Sequence, residues 1–288
     1  LKWILNMTYL VHLPYMGVLV AATTVSLLLN VLHRDGGGKN QLRMAKDLLD
    51  LVLVNRGVGV ILGVFPIFAL ITCYGQIVGA HQMFSYAVWI AVVVLVSLGL
   101  LLIHWHRESW ALRENSWLLH LAGGVLGVVL LLGGYLLLFA NMALIGTPER
   151  WPLVKEIWDV LFTWNIIWRF AQWGAMSWAL LGATILFFFF FWEDRRAAMD
   201  ESYAGFARKL GTALSLAFLI PVPVTILLEL YNTTNPYFQG GYLFGGNVTL
   251  FPANGAFDAS IVAVVLCMIA AHLVYSMILK RSTQFGAH

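Results

Sequence analysis

Seven stretches of this chain are apolar over about 20 residues each, and no other feature restricts its fold as strongly. They cover 9–31, 57–79, 84–103, 117–141, 168–192, 210–230 and 257–279. The hydrocarbon core of a bilayer, roughly 30 Å thick, takes about 20 apolar residues of α-helix to cross. The runs are about twice as long as a transmembrane strand needs, and in lipid a helix satisfies its backbone amides within its own segment. Only 11% of the residues are charged and 60% are hydrophobic, whereas a soluble domain carries roughly 25% charged residues. The expectation is an all-α integral membrane protein: one domain over 1–288, a bundle of about seven transmembrane helices. The first run, with no small-residue cleavage site after it, reads as a retained span and not a signal peptide.

The charges orient the bundle. Arg34, Lys39, Arg43, Lys46 and Arg56 lie between the first two runs, and Arg107 and Arg113 between the third and fourth. Arg195, Arg196, Arg208 and Lys209 lie between the fifth and sixth, and Lys280 and Arg281 in the tail. Thirteen of the 17 Lys and Arg residues thus fall on one side. The positive-inside rule places that side in the cytoplasm, with the N-terminus outside and the C-terminus inside. Trp151, Trp158 and Trp164 mark 151–167 as an interfacial helix feeding the fifth span. Residues 232–257, rich in Gly, Asn, Pro and aromatics, form an outer loop suited to a lid or a docking surface. A net charge of +3 offers nothing to a nucleic-acid partner. Cys73 and Cys267 stand inside apolar runs and read as packing residues.

Polar groups at membrane depth are expensive, so the few present are the informative ones. His12 lies just below the outer edge of the first span, His120 near the inner edge of the fourth and His272 near the inner edge of the seventh. Arg169 and Glu229 lie near the outer ends of spans five and six. Neutral imidazole suits haem iron in an apolar bundle because it adds no charge and its second nitrogen can be fixed by a neighbour. His120 and His272 are at matching inner depth. His12 could pair with Glu229 or His81, or hold iron alone; all of these histidines could equally be interhelical hydrogen bonders. For His33, His104, His106 and His288 the hydrogen-bonding role is the expected one. Gly59 with Gly63, and Gly123 with Gly127, read as close-packing contacts. Pro66, Pro221 and Pro223 free carbonyls that a neighbour has to satisfy. CxxCH, GxxxxGK[ST], HExxH and GxSxG are all missing, which argues against a c-type cytochrome, a nucleotide-driven pump or a soluble-style hydrolase.

The order of these features resembles the N-terminal half of subunit I of the cytochrome bd-type quinol oxidases, over about 1–190. MTYLVHLPYMGVLVAATT (7–24) is similar to that family's first helix, and NRGVGVILGVFPIF (55–68) to its second. LLLFANMALIGTPERWP (136–152) and WRFAQWGAMSWALLGATIL (168–186) resemble its fourth helix with the exit, and the helix that follows. The resemblance implies that His12 is the axial ligand of a high-spin b-type haem. It also implies a prokaryotic inner membrane. Phe170 stands where the family has a histidine ligand to its low-spin haem, and the quinol-site signature and the acidic residues of the proton route are missing. A relative is implied, not a working oxygen reductase.

The leading expectation is an integral subunit of a respiratory electron-transfer complex, binding b-type haem through His12 and linking membrane quinol to an extracytoplasmic cytochrome or other redox subunit. Arg169 would then offset a haem propionate, and Glu229 would pair with Arg169, ligate, or accept a proton from quinol. An alternative keeps the fold without the chemistry: a haem-free membrane anchor for cytochrome-bearing subunits. A transporter, suggested by the Pro221 and Pro223 break, ranks last because spans two to four offer little polar lining.

Overall fold

A computed structural model describes residues 2–34, 38–80, 86–145 and 161–224, apart from 220 and 223. The seventh run, the 232–257 loop and most of the 151–167 segment lie outside the described residues. Within them every regular element is helical: α1 (Lys2–Leu32), α2 (Lys39–Val52), α3 (Arg56–Gly59), α4 (Phe65–Ala80) and α5 (Tyr86–Glu108). There follow α6 (Trp117–Ile145), α7 (Trp164–Phe190), α8 (Glu193–Ala197) and α9 (Glu201–Leu219). A π-helical segment (Val60–Val64) joins α3 to α4, and a 3₁₀ turn (Ser109–Arg113) ends α5.

Four helical stretches are long and apolar enough to cross a bilayer: Val11–Leu32, Ala87–Arg113, Trp117–Met142 and Ile166–Phe190. Their outward surfaces carry large apolar side chains such as Leu28, Leu101 and Leu118. On a soluble protein such a continuous apolar exterior is a liability; against lipid it is the matching solvent. The second run behaves differently. Lys39–Val52 and Arg56–Thr72 form a broken pair, bent by 66°, so that up to five spans are counted. The linker expected over 33–56 is therefore largely a helix. In α2 the buried residues Met44, Ala45, Leu48, Leu49 and Val52 recur at i, i+1, i+4, i+5 and i+8, one stripe of a 3.6-residue period, with Lys39, Arg43 and Lys46 exposed.

Helix α1 is central, packing on α2, α4, α6 and α7. Two pairs of helices approach at glycines. A methyl group at Gly99 of α5 would lie 3.0 Å from the Gly127 carbonyl oxygen of α6, and one at Gly182 of α7 would lie 2.5 Å from that of Gly211 in α9. Dispersion and close backbone approach drive helix association where lipid is as apolar as leucine, and these positions supply it. The sixth apolar run, expected from 210, falls in part on α9, a helix that begins earlier, at Glu201, and that is not one of the candidate spans among the described residues.

Candidate functional site

Two buried imidazole clusters meet α6 at Tyr135 and at His120, about half of its 29-residue length apart. The first is built on His12, which is fully buried in α1. Its Nδ1 lies 2.7 Å from the carbonyl oxygen of Leu62 in the π-helical segment. Leu62 is four residues before Pro66, and proline has no N–H to give to that carbonyl. A carbonyl only accepts, so Nδ1 carries the proton and donates it, which leaves the lone pair on Nε2. Nε2 then accepts from the Tyr135 hydroxyl of α6 at 2.9 Å. Tyr135 stacks on Trp173 of α7 with centroids 4.8 Å apart and planes 15° from parallel. The Trp173 indole N–H donates to the Leu13 carbonyl at 3.2 Å, and Phe170 and Phe139 close the aromatic group. Three helices and the break in the fourth are thereby tied through one ring.

The second cluster joins the end of α5 to the start of α6. His106 and His120, both fully buried, stack with centroids 4.2 Å apart and planes 27° from parallel. His106 Nδ1 donates to the His120 carbonyl at 2.8 Å. The Ser109 hydroxyl donates to the His106 carbonyl at 3.0 Å and so accepts from His120 Nδ1 at 2.9 Å. Both rings then present a bare Nε2, and neither Nε2 has a hydrogen-bond partner among the described residues; nor does that of His104. Rings so nearly parallel have planes that meet far beyond the roughly 2 Å of a metal–imidazole bond. As stacked, the pair cannot chelate one ion. No group of three or more metal-binding side chains occurs among the described residues.

Around this second cluster lies a belt of charge. Arg56 binds both oxygens of Glu108, and Arg107 donates to Asp50 at 2.6 Å. Arg43 reaches Asp47 and Asp200 and lies 4.1 Å over the Tyr203 ring. The Tyr203 hydroxyl donates to Asp47 at 2.5 Å; burial, with the Asp47 carboxylate beside it, pushes that phenol well up from its ordinary value. Asp200 caps α9 by accepting from the Tyr203 backbone N–H, a bond that, with the Ser202 hydroxyl and the Arg43 guanidinium, holds its carboxyl below the usual range.

Of the residues singled out from the sequence, His12 and His120 fall in separate clusters. Arg169 sits in the first turns of α7, next to Phe170 of the aromatic group. Glu229, His272 and His81 lie outside the described residues. The partner that sequence reasoning did not assign is Tyr135; His106, expected to hydrogen-bond, does so with the His120 carbonyl. Pro66 held the signal for part of this, since it demanded a donor for a freed carbonyl. No family model, curated protein or solved structure matches the chain. The fold itself defines the class: an all-helical, multi-pass membrane protein.

Proposed function

We propose that this chain is an integral membrane subunit of a respiratory electron-transfer complex, one that anchors cofactor-bearing partners without itself carrying haem on His12. The respiratory setting rests on the ordered resemblance to cytochrome bd-type subunit I over about 1–190. With it go the proposed seven spans, the outside N-terminus and the prokaryotic inner membrane. The haem-free part rests on one observation: both nitrogens of His12 are already used, with the Tyr135 hydroxyl standing where iron would have to bind. The aromatic group of Tyr135, Trp173, Phe139 and Phe170 fills the space beside it. The residues as packed do not fit an axial-ligand role for this imidazole. What they do provide is interhelical hydrogen bonding, which fixes the break at Pro66 against α1 and α6.

A second reading is supported by the tautomer. Iron-ligating histidines commonly donate Nδ1–H to a carbonyl and offer Nε2, which is the state of His12 once Tyr135 is displaced. In that reading Arg169 and Glu229 serve the b-type haem, quinol is the electron source and an extracytoplasmic cytochrome the partner; an inner haem would use His120 with His272. Pyridine haemochrome analysis of the purified chain separates the two. The expected result is no stoichiometric haem in wild type. One haem per chain, lost in His12→Ala while the subunit still assembles, would overturn the haem-free reading.

A further inference from the structure

Next to the His106–His120 cluster, at the junction of the end of α1 with the start of α6, two buried hydrogen-bond donors have no acceptor among the described residues. Where α1 ends, Arg113 from the turn after α5 donates Nε–H to Asn30 Oδ1 at 2.8 Å and Nη2–H to the carbonyls of His33 and Arg34 at 3.1 and 3.4 Å. Because Nε only donates, the Asn30 oxygen is the atom facing it, so the Asn30 NH₂ points elsewhere. That NH₂ is fully buried and has no partner among the described residues. The Arg34 guanidinium lies 4.6 Å over the Trp117 ring at the start of α6, and the Trp117 indole N–H is also buried and unpartnered. None of the salt bridges among the described residues involves Arg34 or Arg113.

Buried polar groups are rarely left unpaired, and each one that is needs an explanation. Here the unpaired groups are both donors, and the Arg34 and Arg113 guanidiniums beside them form no ion pair with a carboxylate among the described residues. Of the acidic residues next to them in sequence, Glu114 is exposed and Asp35 lies outside the described residues. The missing component is therefore an anion with several acceptor oxygens. Phosphate is the anion that guanidinium geometry suits best. The surroundings select its source, since Leu32 beside Arg34 and Leu118 and Leu119 beside Trp117 are 73%, 73% and 54% exposed. A free phosphate has no use for that apolar flank, whereas acyl chains cover it.

We propose that the corner formed by Asn30, Arg34, Arg113 and Trp117 binds the phosphate-bearing headgroup of an anionic phospholipid. Basic pockets between transmembrane helices at the membrane boundary recognise such headgroups in this way. The two buried N–H groups, each without a partner among the described residues, distinguish this site from the diffuse attraction of a basic face.

The test is lipid titration of the full chain in detergent, read by native mass spectrometry with phosphatidylglycerol and phosphatidylcholine as probes. Phosphatidylglycerol should bind more tightly than phosphatidylcholine. Arg34→Gln should weaken it about fivefold, the contribution of one basic side chain at a membrane surface. Trp117→Phe keeps the ring under Arg34 and deletes only the N–H; it should weaken binding about tenfold, the scale of a hydrogen bond to a charged group. Size-exclusion profiles matching wild type show that the variants are folded. Equal binding of the two lipids would overturn the proposal, as would unchanged affinity in both variants. Displacement of the lipid by millimolar inorganic phosphate would also overturn it, in favour of a free-anion site.

Discussion

The His12 region and the His106–His120 region hold the same side chain at the same burial, yet their hydrogen-bond accounts differ. Around His12 each polar atom is matched: the Leu62 carbonyl and the Tyr135 hydroxyl take both ring nitrogens, and all the groups involved are neutral. At the other end the Nδ1 atoms are matched and the Nε2 atoms are not. The surrounding belt there is ionic, with Arg43, Arg56 and Arg107 each meeting a carboxylate. Burial of a histidine therefore says little about its role. What separates a structural imidazole from one available to a ligand is whether its second nitrogen is already occupied.

The largest expected difference comes from matched substitutions. His12→Leu strands a buried carbonyl and a buried hydroxyl. Interhelical hydrogen bonds in membranes contribute roughly 0.6 to 1.7 kcal/mol each, and a stranded partner adds to the loss, so a cost of about 2 kcal/mol is expected. His120→Leu removes one hydrogen bond, from Nδ1 to the Ser109 hydroxyl, together with an Nε2 that has no partner among the described residues. It leaves the Ser109 hydroxyl bonded to the His106 carbonyl, so it should cost no more than about 1 kcal/mol. SDS titration of both variants in mixed micelles measures the two. Equal losses would break the distinction between the regions.

How much of this was readable beforehand depends on what a one-dimensional pattern carries. The apolar runs at 9–31, 84–103, 117–141 and 168–192 became α1, α5, α6 and α7 because hydropathy summed over a bilayer's thickness is a large signal. Helix α2 was passed over as a charged connection because its five buried positions are diluted by Lys39, Arg43, Lys46, Asp47 and Asp50, so that only its periodicity marks it. The depth of His12 and of His120 was legible from their distance to the span ends. Their partners were not. Whether Tyr135 faces His12 depends on how α6 is rotated about its axis, which is decided by contacts such as Gly99 against Gly127 that no single span encodes. Pro66 is the intermediate case: the freed carbonyl was foreseeable, the donor was not.

That case yields a smaller and sharper effect. Pro66→Ala returns an N–H to the position four residues after Leu62, so the carbonyl need no longer depend on His12. The double variant with His12→Leu should then lose less stability than the sum of the two single losses, by roughly 0.5–1 kcal/mol, as expected for residues that share one partner. Strict additivity would mean that the Leu62 bond does not connect the two positions.

The smallest effect belongs to the ionic end and carries a sign. Asp200 has its carboxyl lowered first by the Tyr203 backbone N–H, then by the Ser202 hydroxyl and the Arg43 guanidinium. A group whose folded pKa is depressed stabilises the fold above its unfolded pKa, and that contribution disappears as pH falls through the folded value. The window therefore opens below the ordinary carboxylate value of about 3.8 and not near neutrality. Asp200→Asn imitates the protonated side chain while keeping an oxygen for the α9 cap. At pH 7 the variant should melt slightly below wild type, with salt narrowing the gap because the pair is exposed. On acidification below about pH 4 the two melting curves should converge. The His12 region has no carboxylate among its hydrogen-bond partners and all its bonded groups are neutral at pH 7, so salt should leave the Tyr135→Phe offset from wild type unchanged at that pH. A Tyr135→Phe offset that salt narrowed likewise would show that the two ends of the bundle do not keep separate electrostatic accounts.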